Sequence, residues 1–253
     1  MDFFRIFDKD KNPENMKKKI IFPVFLLFIF GMVTIIFTSC KKDTDDNNNN
    51  NPVYPITDID GNVYNAVVIG TQTWMVENLK VTHYRNGDPI PLVTDQLRWE
   101  NLTTDAYCWY DNEPAYKPAY GALYNWYAVA DSRNIAPVGW HIPTDAELAT
   151  LIRFAGGNNE AAAKLKEAGK THWLYGSAPA NIANQTGFTA LPGGFRSFNG
   201  LFGQLQLEGF WWSSTEGDNS AKAWSYIMQY NNNSVSRFEN EKKCGFSVRC
   251  IKD

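Results

Sequence analysis

Histidine is scarce in this chain. His83, His141 and His172 are its only three, and none has a cysteine or second histidine at ligand spacing, which argues against a zinc-type centre. The Trp140-His141 pair therefore reads as structural. No serine occupies a G-x-S-x-G turn, so Ser213-Ser214-Thr215 reads as the polar edge of a strand, not as a nucleophile. Pro192-Gly193-Gly194 lacks the Lys-Ser/Thr of a phosphate-binding loop. A basic stripe is missing too: 24 Lys and Arg against 27 Asp and Glu leave a net charge of −3, which argues against nucleic acid as a partner. There is no repeat at a solenoid or propeller period.

Cysteine is also rare, with four residues, and the first explains itself. Lys17-Lys18-Lys19 form a positive region and Ile20 to Phe37 an apolar one. Thr38-Ser39-Cys40 then supplies small residues before a cysteine, the pattern of a bacterial lipoprotein signal. Residues 1–39 are the expected signal peptide, with Met16 the better start, and Cys40 the lipidated residue. An uncleaved anchor would leave Cys40 unexplained. Residues 40–55 are polar and of low complexity, a flexible tether. Residues 56–252 are enough for one domain and show no break in composition.

Three cysteines remain, in a compartment that permits disulfides. Cys244-Gly245-Phe246-Ser247-Val248-Arg249-Cys250 alternates as a strand does, with Cys244, Phe246, Val248 and Cys250 on one face. Such a strand extends roughly 20 Å, beyond the roughly 7 Å between Cα atoms that a disulfide tolerates. A bridge from Cys108 to one of the two is expected, preferably to Cys250, leaving Cys244 free.

Aromatic residues are abundant, and all 9 Trp and 12 Tyr follow Cys40. Asp60-Gly61 signals a hairpin, and Val63 to Val76 a β-meander. Tyr84 to Leu102 reads as loop and Tyr107 to Tyr110 as a short aromatic strand. Gly121 to Asp131 has helical spacing. Thr144-Asp145-Ala146-Glu147 is a capping box opening a helix with Leu148, Leu151, Ile152 and Ala155 buried. A second helix runs from Glu160 to Ala168, and strands and turns follow Gly187. Strands, helices and strands in that order predict an α+β fold. Pairing the first strands with the last would join the two ends.

Six blocks carry a resemblance to a known family. They are Val67 to Lys80 (containing Gly70, Trp74, Glu77, Asn78 and Leu79), Tyr120-Gly121 to Ala128, and Pro137 to Glu147 (containing Gly139-Trp140-His141). Gly187-Phe188 to Arg196, Gly209 to Thr215 with Trp211-Trp212, and Gly245 to Cys250 follow. Over about Ile56 to Lys252 the chain resembles the Fibrobacter succinogenes major paralogous domain. It departs at Ala136, where members often carry a cysteine.

The resemblance implies a C-type-lectin-like fold related to the formylglycine-generating-enzyme type, on secreted or lipid-anchored proteins of Fibrobacteres and Bacteroidetes. The charged stretch Lys41 to Asp46 is similar to a Bacteroidetes signal for export to the outer surface. Outer-membrane placement facing the exterior follows, with the membrane reached through the lipid.

A noncatalytic binding or adhesion module for a glycan or protein ligand is expected. The alternatives are an enzyme (a copper-dithiol oxidase like the formylglycine-generating relatives, or a polysaccharide hydrolase) and a structural part of a surface assembly. The oxidase needs two adjacent thiolates, and nothing local singles out a hydrolase carboxylate pair. Glu113-Pro114-Ala115 fails the lectin calcium motif at its third position, so no cofactor is expected. Only Asp218 and Asn219 would serve an unconventional calcium site. In lectin-like folds ligands usually meet the loops between late strands. Those loops carry Asn199, Asp218, Asn219, Asn231, Asn232 and Asn233, with Trp212 as a stacking platform and Trp211 turned inward.

Overall fold

In the computed structural model, residues 55–174 and 182–253 are described. The signal segment, Cys40 and nearly all of the tether lie outside the described residues. Among those described, no helix is long and apolar enough to cross a membrane.

The chain opens with Ile56–Thr57 (β1) paired antiparallel to Val63–Tyr64 (β2). The expected hairpin is present, with Gly61 at φ +78°. Asp58 holds it, accepting from the N–H of Asp60 (3.0 Å) and Asn62 (2.9 Å) and from the Tyr64 hydroxyl (2.6 Å). Ala66–Ile69 (β3) and Gln72–Met75 (β4) form a second hairpin through Gly70 at φ +62°. The stretch read as loop contains a short helix, Gln96–Glu100 (α1), because Asp95 caps it by accepting from Arg98 N–H at 2.7 Å.

Tyr107–Cys108 (β5) leads into two 3-10 turns, Tyr110–Asn112 and Pro114–Tyr116, then Lys117–Tyr120 (α2). The helix expected from Gly121 to Asp131 is shorter. Leu123–Tyr124 (β6) pairs instead with β5, and only Trp126–Val129 (α3) is helical. Asn125 sets the boundary, its side chain accepting from the N–H of both Ala128 (3.1 Å) and Ala106 (3.0 Å).

Trp140–His141 (β7) precedes Asp145–Phe154 (α4), which starts at the expected capping box. Ala161–Leu165 (α5) is shorter than expected, because Lys166 bridges to Ala190. The late strands are Gly193–Arg196 (β8), Phe202–Leu205 (β9), Glu208–Glu216 (β10), Lys222–Gln229 (β11), Val235–Glu241 (β12) and Ile251–Lys252 (β13).

Two sheets organise these elements: β12-β11-β10-β8-β9, parallel only between β10 and β8, and β3-β4-β13-β7, antiparallel throughout. The fold is α+β and mostly antiparallel. The last strand lies between the second hairpin and β7, so the early and late strands do pair.

The stretch before β13 connects the sheets. Gly245 bridges to Arg196, Phe246 to Tyr124 and Ser247 to Trp211. The Leu79 and Met75 amides then donate to the carbonyls of Val248 (2.8 Å) and Cys250 (3.0 Å). The stretch makes isolated bridges where a continuous strand was expected, because it passes from one sheet to the other. Its alternation is as read, with Cys244, Phe246, Val248 and Cys250 all in the largest buried cluster.

The expected Cys108–Cys250 bridge is not formed, and all three thiols are free and buried. Cys108 packs in a smaller cluster with Val93, Trp99 and Leu123, whereas Cys250 packs with Tyr64 and Met75 in the large one. Burial pushes the Cys108 and Cys244 thiols up to about 12 and Cys250 higher still.

Candidate functional site

The loop residues expected to bind do not form one site. Asp218 and Asn219 lie in the β10–β11 turn, and Asn231, Asn232 and Asn233 in the β11–β12 turn. β11 separates these turns by its full length, about 25 Å for eight residues. Several of these groups serve the fold. The Asn232 and Asn233 carbonyls accept from Lys166 Nζ (2.7 Å) and Ala162 N–H (2.9 Å), and Asn232 Oδ1 accepts from Ser234 N–H at 2.9 Å. Asn219 Oδ1 accepts from Ala221 N–H within its own turn, and Asp218 N–H donates to Glu239. Among the described residues no group of three or more His, Cys, Asp or Glu is placed to hold a metal ion.

Trp212 is not a platform. It is 1 % exposed, its ring 4.4 Å from that of Phe246 and its Nε1–H donating to the Tyr124 carbonyl at 2.9 Å. Trp211 points the other way, as expected, but into a second buried cluster. β10 is covered on both faces here, so alternation sends both indoles inward.

Four of the six family-like blocks converge on a buried polar hub. Asn78 Oδ1 accepts from Trp211 Nε1 (3.0 Å) and from Arg249 Nη2 (2.8 Å) and Nε (3.2 Å). Asn78 Nδ2 donates to the Tyr120 carbonyl (2.9 Å) and Ser247 Oγ (3.2 Å). Gly121 is needed beside it, at φ +73°, since a Cβ there would lie 2.6 Å from the Leu79 carbonyl oxygen. These motif residues hold the sheets together. They are not displayed.

A different surface gathers the features of a site. The half-buried rings of Tyr110, Tyr116 and Phe202 form a strip, with Tyr110 5.4 Å from Phe202 and 5.6 Å from Tyr116. It continues inward through Tyr120, 6.0 Å from Tyr116, to His172 at 5.5 Å. Gly194 makes the approach feasible, because a Cβ there would lie 2.7 Å from the Tyr110 ring and 2.5 Å from the Gly203 carbonyl oxygen.

Backbone strain collects at the same place. Of seven described non-glycine residues with positive φ, four flank the strip: Asp111 (53°), Asn112 (58°), Gln204 (65°) and Gln206 (66°). Such conformations cost about 1 kcal/mol or more each and concentrate where a surface must present particular groups. Asp111, Gln204 and Gln206 are exposed. Asn112 donates through Nδ2 to the Thr94 carbonyl at 3.1 Å, while its Oδ1 has no hydrogen-bond partner among the described residues. Asn199 lies on the hairpin that carries Phe202, its carbonyl accepting from Gln96 Nε2 at 3.2 Å. Of the expected loop residues, Asn199 is the one on the same β8–β9 hairpin as the strip. Tyr110, Tyr116, Phe202 and Gln204 were missed, although Asp111-Asn112 after an aromatic run is a recognisable signal for left-handed turn backbone.

The histidines each meet a carboxylate. His83 Nδ1 lies 2.6 Å from Asp60, and His172 Nδ1 lies 2.8 Å from Glu167. His141 sits between Asp253 (2.7 Å) and Glu147 (2.9 Å). Partial burial opposes its charged form, but these two partners outweigh that and raise its pKa. A separate cleft of about 370 Å³ is lined by Val68, Phe154, Lys164, Gln185 and Thr186, among others, with Phe154 its one ring.

The architecture is thus that of a mixed α+β domain, closed by its last strand and displaying an aromatic strip with exposed amides. Residues 67–252 match the Fibrobacter succinogenes major domain, and the chain belongs to that family. No curated protein and no solved structure matches it.

Proposed function

We propose that this protein is a lipid-anchored, noncatalytic binding module on the cell exterior that recognises a glycan on the Tyr116–Tyr110–Phe202 strip. The observation that carries this reading is the strip itself: half-buried rings, Tyr110 edge-on to Tyr116 and tilted against Phe202, with exposed Gln204, Gln206 and Asp111 around them. Sugars present apolar C–H faces that pack on rings and hydroxyls that bond to amides. Tyrosine serves both needs, having an apolar body and a polar tip.

The lectin-like fold is part of the proposal, supported by the last strand lying beside the early β3–β4 hairpin. The anchor rests on Lys17 to Cys40, and display at the exterior on the charged stretch Lys41 to Asp46. The oxidase alternative gains no support from thiols that are buried and raised in pKa. A glycan array probed with the full chain tests the reading. Binding to a discrete group of glycans is expected, and no binder across a broad panel, or binding only to proteins, overturns it.

A further inference from the structure

We infer that β12 is a dimerisation edge, pairing antiparallel with β12 of a second copy of this chain about a twofold axis at Phe238. Among the described residues β12 is an outer strand of the five-stranded sheet. Its seven residues contain no proline or glycine and pair with β11 in unbroken register. Edges of that kind invite another strand unless they are blunted. The opposite edge is blunted, since β9 has four residues and Gln204 within it is left-handed.

The direction of the backbone groups follows from the ends of the strand. Val235 N–H turns away from β11, to the Asn158 carbonyl at 2.7 Å, whereas Lys242 N–H turns towards the β11 side, to the Ala221 carbonyl at 3.1 Å. Backbone groups alternate along a strand. Arg237 and Glu239 therefore present their N–H and C=O groups to the open edge, and Ser236, Phe238 and Asn240 bond to β11.

A second copy centred on Phe238 uses the edge groups of Arg237 and Glu239 in both chains, while Val235 N–H stays with Asn158. Arg237 of each chain faces Glu239 of the other, and each such pair exchanges both backbone hydrogen bonds. Unlike charges stand opposite one another. Centring on Arg237 or on Glu239 would instead oppose like charges, so the sequence favours one register. The side chains do not obstruct the edge. Arg237 is held by Asp145 through Nε (2.6 Å) and Nη2 (2.9 Å) and lies over the Trp224 ring, while Glu239 accepts from Asp218 N–H. Phe238, 53 % exposed on the other face, would meet its own copy at the axis and be covered.

Cysteine cross-linking in the full-length chain, in membranes, tests this. A residue at the axis faces itself at about 4.5 Å between Cα atoms, within disulfide range. After mild oxidation, Phe238→Cys should run as a disulfide dimer on a non-reducing gel, and the wild-type chain as a monomer. Ser236→Cys alone and Asn240→Cys alone should stay monomeric, while the two co-expressed should cross-link, because residue 236 faces residue 240 of the copy. A monomeric Phe238→Cys, or a Ser236→Cys that cross-links alone, overturns the inference. Should Phe238→Cys not accumulate, the co-expressed pair decides: a dimer supports the proposed register and a monomer overturns it.

Discussion

Replacing Asn78 by leucine removes the hub while keeping an apolar side chain of similar size. Trp211 Nε1 and two donors of Arg249 lose their acceptor, and the Tyr120 carbonyl and Ser247 hydroxyl lose a donor. Arg249 is 2 % exposed, and burial lowers its pKa to about 9, so it is still charged at neutral pH. Among the described residues it keeps hydrogen bonds to the carbonyls of Phe188 and Thr189, and its guanidinium lies 4.2 Å over the Phe188 ring.

Leaving a buried neutral group unpaired costs about 1–3 kcal/mol, and more for a charged one. With Trp211 Nε1–H, the Tyr120 carbonyl and the Arg249 guanidinium all short of a partner, Asn78→Leu should therefore cost at least about 3 kcal/mol, a large share of the roughly 5–15 kcal/mol available to a domain. Arg249→Met removes the charge itself and orphans two carbonyls, at about 1–3 kcal/mol each. The double variant should be more stable than Asn78→Leu alone, because no uncompensated guanidinium remains. Urea denaturation followed by tryptophan fluorescence measures all three. A loss below about 1 kcal/mol in Asn78→Leu would be no more than an average single substitution and would refute the hub's importance. So would strictly additive losses in the double variant.

The raised pKa of His141 gives a pH signature. Its contribution to stability is complete below the ordinary histidine value, near 6.5, and is lost as pH rises through the higher folded value. The melting-temperature gap between wild type and His141→Gln should shrink from pH 5 to pH 9, and a gap that widens would contradict the two carboxylate contacts. Cys108, Cys244 and Cys250 should resist alkylation at pH 8 in the folded chain and react once it is unfolded in urea. Mass mapping without reduction should find none of them bridged, and a Cys108–Cys250 link would reverse that assignment. Cys40→Ala should abolish palmitate incorporation and leave the precursor unprocessed, and normal lipidation would end the lipoprotein reading.

Features that were legible in the sequence are those fixed by local chemistry. The Thr144–Glu147 capping box, the Gly61 hairpin and the alternating run from Cys244 to Cys250 are set by neighbouring residues, and all are present. Six separated blocks carried the resemblance, and four of them meet in the structure, where Asn78, Tyr120, Trp211, Ser247 and Arg249 share one hub. What could not be read depended on distant packing. Period-two spacing says that Trp211 and Trp212 point in opposite directions, but not that both faces of β10 are covered. Helical spacing from Gly121 to Asp131 could not reveal that Leu123 finds a strand partner in Cys108. Export permits a disulfide, but the separate packing of Cys108 and Cys250 is a tertiary fact. The aromatic strip joins Tyr110 to Phe202 across more than ninety residues through Gly194, and Asp111-Asn112 was its single local cue.

The most direct test of the central claim is the affinity for the strongest glycan from the array, measured for wild type, Tyr116→Ala and the triple variant Asn231→Ser, Asn232→Ser, Asn233→Ser. A stacked ring at the centre of a binding site is worth about 2 kcal/mol, or roughly thirty-fold in Kd. Tyr116→Ala should show a loss of that order with its melting temperature nearly unchanged, while the triple variant should lose stability and keep its affinity. Unchanged binding in Tyr116→Ala, with affinity lost in the triple variant, would return the site to the β11–β12 turn and contradict the account.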